Sequence, residues 1–224
     1  MMMPSSSRKV ILFDLDDTLY KEIDFVKSGY SAVADLLRKS HTIPTDVENQ
    51  MLMWREQGRN VFGELIKQYA PDYSIDSCLI TYRTHKPAIH LSGETIRLLN
   101  ALFAKHCVLG IITDGRSTTQ RNKIEALGLQ RWISSENILI SEEFGHEKPA
   151  VENFQYFENR FPGAEFTYTG DNPKKDFITP NRLGWRTICV LDKGQNIHSQ
   201  DYNLPDEYLP QIRIESISQV LLYI

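Results

Sequence analysis

The sequence predicts an α/β protein with a doubly wound parallel sheet and an inserted α-helical segment. Three observations support this fold class. An apolar run near the start ends on carboxylates, the next sixty-odd residues have only helical periodicity, and strand and helix patterns alternate from about residue 90 onward. Such alternation is typical of parallel sheets, whose strands are joined by crossing helices.

The first predicted strand covers residues 10–15, five of which are apolar, and it runs into Asp14, Asp16 and Asp17. An aliphatic run of this kind is typical of a buried parallel strand. Ligands bind at the carboxyl ends of such strands. Neighbouring carboxylates repel each other unless a cation lies between them, and oxygen ligands suit Mg²⁺. The alternative interpretation is an acidic strand end followed by a capping Thr18.

Composition and charge limit the class of protein. The chain has 224 residues and a net charge of −4, with 25 basic and 29 acidic residues, and it contains no basic block. These values predict one large domain, or one domain with an insert, and no nucleic-acid or membrane partner. Three widely spaced cysteines indicate reduced thiols and a cytoplasmic location. Residues 1–8 are expected to be a disordered tail.

The helical segment covers residues 21–88, where apolar residues recur at spacings of three and four. The pattern predicts four helices, separated by breaks near Pro44, Gly58 and Pro71. An all-helical stretch between two strands indicates an insert over the active edge of the sheet. Residues 9–20 and 89–224 are then expected to form the core domain, and residues 21–88 a helical domain.

Four further buried strands are predicted in the second half of the chain, at residues 107–113, 138–141, 166–169 and 187–191. Ser92 is expected to cap a helix whose inward side chains include Ile96, Leu99 and Phe103. Ser117 and Gln120 have the spacing of a capping box. Pro149 is predicted to be the first residue of another helix, and residues 192–209 are predicted to form turns.

Polar residues follow four of these strands and are expected to converge at one edge of the sheet. Asp14 and Asp16 end the first strand, Thr113 and Asp114 the second, Lys148 follows the third, and Asp171 and Asp176 follow the fourth. Each has an ordinary interpretation, such as a helix cap, a solvated lysine or a turn. Together, however, those interpretations do not explain why carboxylates, a hydroxyl and an amine should all occur at one edge of the sheet.

This set of residues suits phosphoryl transfer. Mg²⁺ between Asp14 and Asp171 would screen an anionic nucleophile from an anionic phosphate. The predicted phosphate-binding residues are Thr113, Asp114 and Lys148. Lys148 and the Thr113 hydroxyl, with loop N–H groups, would hold the phosphate oxygens. Asp16 could protonate the leaving oxygen and then activate water.

The chain resembles the phosphatase branch of the haloacid dehalogenase (HAD) superfamily. Residues 14–18 match its first motif, Asp-x-Asp-x-Thr, Thr113 its second, Lys148 its third, and the acids at 171 and 176, with four residues between them, its fourth. The resemblance covers residues 9–20 and about 90–191. It implies a Rossmann-like core, and residues 21–88 are placed like the family's helical cap.

For the site, the resemblance implies a Mg²⁺-dependent phosphohydrolase with Asp14 as nucleophile and Asp16 as acid/base. It implies that Asp14, the backbone carbonyl of Asp16, and Asp171 bind the metal, with Asp176 as a supporting acid. A phosphomutase of the same superfamily uses the same residues and stays open. A phospho-accepting receiver module is the alternative from another class, but it leaves the helical insert unexplained. A catalytically dead binding protein would not need every motif residue.

The substrate is expected to be a small phosphorylated metabolite, either a nucleotide or a sugar phosphate. Tyr20 and Arg116 are its candidate contacts, with Arg55, Arg59 and Arg83 as weaker ones. The oligomeric state has no signal in the sequence.

Overall fold

One six-stranded parallel sheet organises the chain, in the order β3-β2-β1-β4-β5-β6. The computed structural model describes residues 7–224, so most of the tail predicted at residues 1–8 lies outside the described residues. The strands are β1 Lys9–Phe13, β2 Val108–Thr113, β3 Ile138–Ile140, β4 Glu165–Gly170, β5 Arg186–Val190 and β6 Ile212–Ile214. The predicted α/β fold class with a doubly wound parallel sheet is confirmed.

The first strand lies in the middle of the sheet. Val10 is paired with Val108 of β2 on one side and with Phe166 of β4 on the other. All four residues from Val10 to Phe13 are buried, because helices cover both faces of the sheet. The chain first extends the sheet from β1 to β3 and then returns to the other side of β1. This reversal of direction creates a crevice at the carboxyl end of β1, where open α/β sheets bind ligands.

The segment between β1 and β2 is helical, as predicted, and we call its four helices the helical block. They are α1 Glu22–Arg38, α2 Val47–Glu56, α3 Val61–Tyr69 and α4 Ile75–Thr84. Their apolar faces form a hydrophobic cluster of their own, which includes Val33, Leu37, Met51 and Leu65. Burial of these side chains against one another stabilises helices that are too short to be stable alone.

The core helices are α5 Gly93–Ala104, α6 Ser117–Ala126, α7 Ser141–Phe144, α8 Glu152–Arg160 and α9 Ile178–Arg182. Ser92 caps α5 as predicted, since its side chain accepts a hydrogen bond from the N–H of Thr95. The predicted inner face of α5 is wrong in part: Ile96 is 39% exposed and Phe103 57% exposed. The helix instead buries Thr95, Leu98, Leu99 and Leu102.

Two other local predictions are wrong, and one strand was missed. Ser117 and Gln120 form no capping box, because the Ser117 hydroxyl donates to Glu143 and the Gln120 amide points into the site described below. Pro149 follows a cis peptide bond, and α8 begins only at Glu152. The turn-rich region is followed by a sixth strand that was not predicted. None of the helices within residues 7–224 is long and apolar enough to cross a membrane.

Candidate active site

The carboxyl edge of the sheet brings the predicted motif residues together. Asp14 follows β1, Thr113 ends β2, and Asp171 follows β4, while Lys148 lies in the loop before α8. All four side chains are buried. Buried polar groups of this kind must be paired, so their contacts define the site.

Lys148 is the centre of this arrangement. Its Nζ lies 2.7 Å from Asp14 Oδ1 and 2.7 Å from Asp176 Oδ1, and its side chain is 0% exposed. It also donates to the hydroxyl of Tyr168, at 3.2 Å. Burial acts to lower the pKa of Lys148, but Asp14 and Asp176 outweigh that effect and raise it well above its ordinary value. The ammonium is therefore a fixed positive charge beside the Asp14 carboxylate.

Asp176 supports the turn that carries Asp171. Its Oδ2 accepts hydrogen bonds from the backbone N–H of Asp171 at 3.1 Å and of Asn172 at 2.8 Å. Gly170 makes this possible, because a Cβ at that position would lie 2.5 Å from Asp176 Oδ2. The glycine before the acidic turn thus allows the backbone to approach a buried carboxylate closely.

A metal ion would fit among three of these acids. Oxygens of Asp14, Asp171 and Asp176 lie within 4.8 Å of one another, and hard oxygen donors suit Mg²⁺. Burial raises the pKa of Asp14 to about 7. Burial, with the like charges of Asp176 and Asp14, raises that of Asp171 to about 9. Both carboxylates are therefore difficult to ionise together without a cation.

Asp16 lines the same cavity as Asp14 and Asp171 but has its own set of hydrogen-bond partners. Lys123 Nζ contacts both of its carboxylate oxygens, at 2.8 and 2.9 Å. Gln120 donates to Asp16 Oδ2 at 3.0 Å, and the hydroxyl of Tyr20 donates to Oδ1 at 2.5 Å. Burial acts to raise the pKa of Asp16, but Lys123 and the hydrogen bonds outweigh it and lower the pKa below its ordinary value. The side chain is held as a carboxylate.

A small cavity of about 130 Å³ opens above these residues. It is lined by Asp14, Asp16, Asp17, Glu22, Thr113, Asp114, Asp171, Asn172, Lys175 and His198. Glu22, from the first turn of α1, brings the helical block into the site. Burial, together with the neighbouring Asp16, raises the pKa of Glu22 to about 8. A larger cavity of about 540 Å³ lies at the opposite, amino ends of the strands and contains none of the motif residues.

The remaining predicted site residues have different surroundings. Asp114 uses its carboxylate to accept from the N–H of Lys148 at 3.0 Å and to pair with Lys175 at 2.9 Å, so its side chain braces the loops. Arg116 is 58% exposed, pairs loosely with Glu142 at 3.7 Å, and is absent from the described lining of this small cavity. The hydroxyl of Tyr20 is bound to Asp16, and its ring lines a separate cavity.

The loop between β5 and β6 reaches back over the site, which the turn pattern did not predict. Asn196 donates to Asp171 Oδ2 at 2.8 Å, and Gln200 donates to the Asp171 carbonyl at 2.8 Å. The N–H of Ile197 donates to Asp17 at 2.8 Å. These contacts join residues far apart in sequence, and no local pattern predicts them.

Gln120 and Lys123 are two further residues near the site that the sequence analysis did not assign to it. They lie three residues apart on α6, which follows Thr113 directly, and both are buried. Gln120 also donates to the Thr113 hydroxyl at 2.6 Å. The available signal was their i, i+3 spacing after the second motif, since that spacing places two side chains on one helix face.

Comparison with known proteins agrees with this geometry. The family model of haloacid dehalogenase-like hydrolases matches residues 11–190. A glyceraldehyde 3-phosphate phosphatase of Methanocaldococcus jannaschii is 34% identical over 212 residues, which cover 89% of this chain and 90% of that protein.

Solved structures share the fold. The HAD-hydrolase YfnB of Bacillus subtilis, in a structure bound to magnesium, aligns with a TM-score of 0.63 and 23% identity over 98% of this chain and 99% of that chain. A HAD phosphatase from Thermococcus onnurineus aligns with a TM-score of 0.58 and 20% identity, over 96% and 97% of the two chains.

Proposed function

Because this chain belongs to the haloacid dehalogenase-like hydrolases, in their phosphatase branch, we propose that it is a Mg²⁺-dependent phosphatase that hydrolyses a small phosphate ester through an aspartyl-phosphate on Asp14. The observation that carries the proposal is the contact of Lys148 with Asp14 and Asp176, next to Asp171 and the cavity. A buried nucleophile, a fixed cation and a set of metal-binding oxygens are the parts that phosphoryl transfer requires.

In the first half-reaction, an oxygen of Asp14 attacks phosphorus, and the bond to the ester oxygen breaks. Lys148 and the Thr113 hydroxyl hold the non-bridging oxygens, where negative charge is concentrated. Asp16 gives a proton to the leaving oxygen, so the product departs as a neutral alcohol. Because Lys123 and the hydrogen bonds hold Asp16 as a carboxylate, the bound ester in its monoanionic form first gives Asp16 this proton, and Lys123 and Gln120 keep the group in place.

In the second half-reaction, water attacks the phosphorus of the Asp14 ester. Asp16 takes the proton of that water, and the bond between phosphorus and the Asp14 oxygen breaks, releasing phosphate and restoring the carboxylate. Asp14 and Asp171 would hold Mg²⁺, together with the backbone carbonyl of Asp16. The bound ion would neutralise negative charge between the nucleophile and the phosphate.

We propose a triose-sized substrate with an uncharged leaving group. The cavity of about 130 Å³ is well below the roughly 300–1,000 Å³ of pockets for drug-sized ligands, so a nucleoside fits poorly. The described residues that line it include acids such as Glu22 and no arginine, and the lysine among them, Lys175, is already paired with Asp114, which disfavours a substrate carboxylate. The M. jannaschii relative, named for glyceraldehyde 3-phosphate, supports the same size class.

The helical block is proposed to act as a cap that closes over the bound ester. Glu22, in the first turn of α1, is the residue of the described block that lines the cavity. Such closure excludes water other than the attacking molecule. A cytoplasmic location is proposed from the three free cysteines, Cys78, Cys107 and Cys189.

A phosphate-release assay tests the proposal. The panel contains glyceraldehyde 3-phosphate, glycerol 3-phosphate, phosphoglycolate and adenosine monophosphate, each with Mg²⁺. We expect kcat/KM to be highest for the uncharged triose-type esters and at least about tenfold lower for phosphoglycolate, which is the cost of roughly one unpaired charge contact. Acid quench should trap phosphate on the wild type, and Asp14→Asn should remove it.

Other outcomes would contradict specific parts of the proposal. A nucleotide as the best substrate refutes the size argument. Isomerised sugar phosphate without phosphate release indicates a mutase. A stable phosphoprotein without turnover indicates a receiver-like module.

A further inference from the structure

The Asp16 carboxylate is fixed by residues outside the four predicted motifs. Lys123 bridges its two oxygens, and Gln120 binds one of them while also binding the Thr113 hydroxyl. Gln120 therefore connects the predicted acid/base with the predicted phosphate ligand, and of these two groups Lys123 holds only the acid/base. Lys123 itself is absent from the described residues that line the catalytic cavity, so it acts on the site only through its neighbours.

The burial of this pair on α6 requires an explanation. Lys123 is 3% exposed and Gln120 1% exposed, on one face of a helix whose only large buried aliphatic residue is Ile124. Burying an ammonium and an amide is costly, and a buried ion pair contributes little net stability compared with apolar side chains of the same volume. Stability alone is therefore a poor reason for a lysine and a glutamine here.

Lys123 also contacts the helical block. Its Nζ lies 3.8 Å from Glu22 Oε1 and 4.4 Å from the centre of the Phe25 ring, both on α1. The ammonium thus touches the loop after β1 and the first helix of the block at the same time. Any movement of α1 relative to α6 changes the surroundings of the group that holds Asp16.

We propose that Lys123, assisted by Gln120, is a positioning residue that sets the place of the Asp16 carboxylate and makes that place depend on helix α1. The inference rests on the proposed function, because it gives Asp16 the acid/base role. Its consequence is that the proton-transfer group is aligned only when the helical block is seated. Misplacement of a reacting group by about 1 Å can cost roughly 10²-fold in rate.

A double-mutant cycle tests the inference. Lys123→Met removes the ammonium and keeps the length of the side chain, and it is measured alone and with Asp16→Asn. Alone, it should lower kcat for glyceraldehyde 3-phosphate by about 10²-fold and leave KM within about threefold, because Lys123 acts on orientation and does not touch substrate. In the Asp16→Asn background, it should lower kcat no further, because residues that act as a unit are not additive.

Two measurements separate positioning from loss of folded protein. The burst of p-nitrophenol from p-nitrophenyl phosphate counts competent active sites, and kcat is expressed per such site. Lys123→Arg should restore part of the rate because it keeps the charge. Lys105→Met, the same change at an exposed lysine after α5, is the matched control and should leave kcat unchanged.

An equal loss in both backgrounds, or kcat within twofold of wild type for Lys123→Met, overturns the proposal. If Lys123→Met gives no burst, Gln120→Met is measured in its place, alone and together with Asp16→Asn. A loss of kcat that disappears in the Asp16→Asn background supports the inference, and a loss of kcat that remains there overturns it. A wild type that releases no phosphate from any ester refutes the proposed function itself, which is a different result.

Discussion

Replacing Lys148 with methionine should destabilise the protein in a way that depends on pH. The side chain is fully buried, and its Nζ lies 2.7 Å from both Asp14 and Asp176. Removing one partner of a buried ion pair costs about 3–5 kcal/mol, because the remaining charge is left without a partner. With no exposure of Lys148, solvent screening does not reduce this figure. In a chain of this size, it corresponds to a fall in Tm of roughly 6–20 °C.

The direction of the pH dependence follows from Asp14. Its pKa is raised to about 7, against an ordinary value of 3.8, although Lys148 acts to lower it. Without Lys148, the pKa in the folded state rises further. A group with a raised folded-state pKa contributes stability below about pH 4 and loses it as the pH rises through the folded pKa. The cost of Lys148→Met should therefore be smaller at pH 5 than at pH 7.5.

Urea denaturation of wild type and variant, in chelator at pH 5 and pH 7.5, measures the effect. Lys174→Met is the matched control, because it removes a lysine from an exposed ion pair: Lys174 is 62% exposed and lies 3.6 Å from Asp201. An exposed pair contributes about 0–1 kcal/mol, so this variant should hardly change the free energy of unfolding. A loss below about 1 kcal/mol for Lys148→Met, or an equal loss at both pH values, would refute the reasoning.

Three further predictions concern the metal, the fourth motif and the helical block. Chelation should abolish phosphate release, and Mg²⁺ but not Ca²⁺ should restore it, since the looser coordination of Ca²⁺ misplaces the reacting atoms. The rise in Tm caused by Mg²⁺ should be larger at pH 8 than at pH 5.5. The pKa values of Asp14 and Asp171 are raised to about 7 and 9, so ionisation of these carboxyls destabilises the metal-free protein as the pH rises. An equal rise in Tm at both pH values would contradict this prediction. Gly170→Ala should cost about 1–3 kcal/mol in urea denaturation and lower kcat, because the new Cβ collides with Asp176. Replacing residues 21–88 with the block of a relative should change the ranking of substrates, and an unchanged ranking over a broad panel would count against the cap proposal.

Strong local patterns predicted the frame of the molecule. The apolar run before the acids predicted a buried strand with its acids at the edge, and β1 is central with every residue from Val10 to Phe13 buried. The motif residues converged because parallel strands end on the same side. Their convergence depends on the direction of the strands and not on side-chain packing, so the position of the candidate site could be predicted from the sequence.

Faces and distant contacts were harder to predict. In α5, apolar residues occur almost all round the helix, so periodicity alone could not choose between Ile96 and Leu98 as the buried residue. In α6, the reverse holds: Gln120 and Lys123 belong to a polar sequence that is typical of a solvated helix. The contact of Asn196 with Asp171 depends on the path of a long loop, which pairs residues that no local pattern connects.

The position of β1 has a consequence for how the chain folds during synthesis. This strand is translated first, yet Val10 finds its two neighbours only at Val108 and Phe166. Contacts between residues so far apart form slowly, because a long loop must close before they contribute any stability. The helical block, whose four helices contact one another within residues 22–84, is complete much earlier.

We therefore expect the nascent chain on the ribosome to contain a folded helical block while the apolar strand β1 is still unpaired. Exposed apolar segments of this kind are hazardous for a nascent chain, because they pair readily with other chains. During synthesis, the three carboxylates at the end of β1 also act against association of nascent chains. Their mutual repulsion, without Lys148 or a metal ion to neutralise it, keeps identical nascent strands from associating.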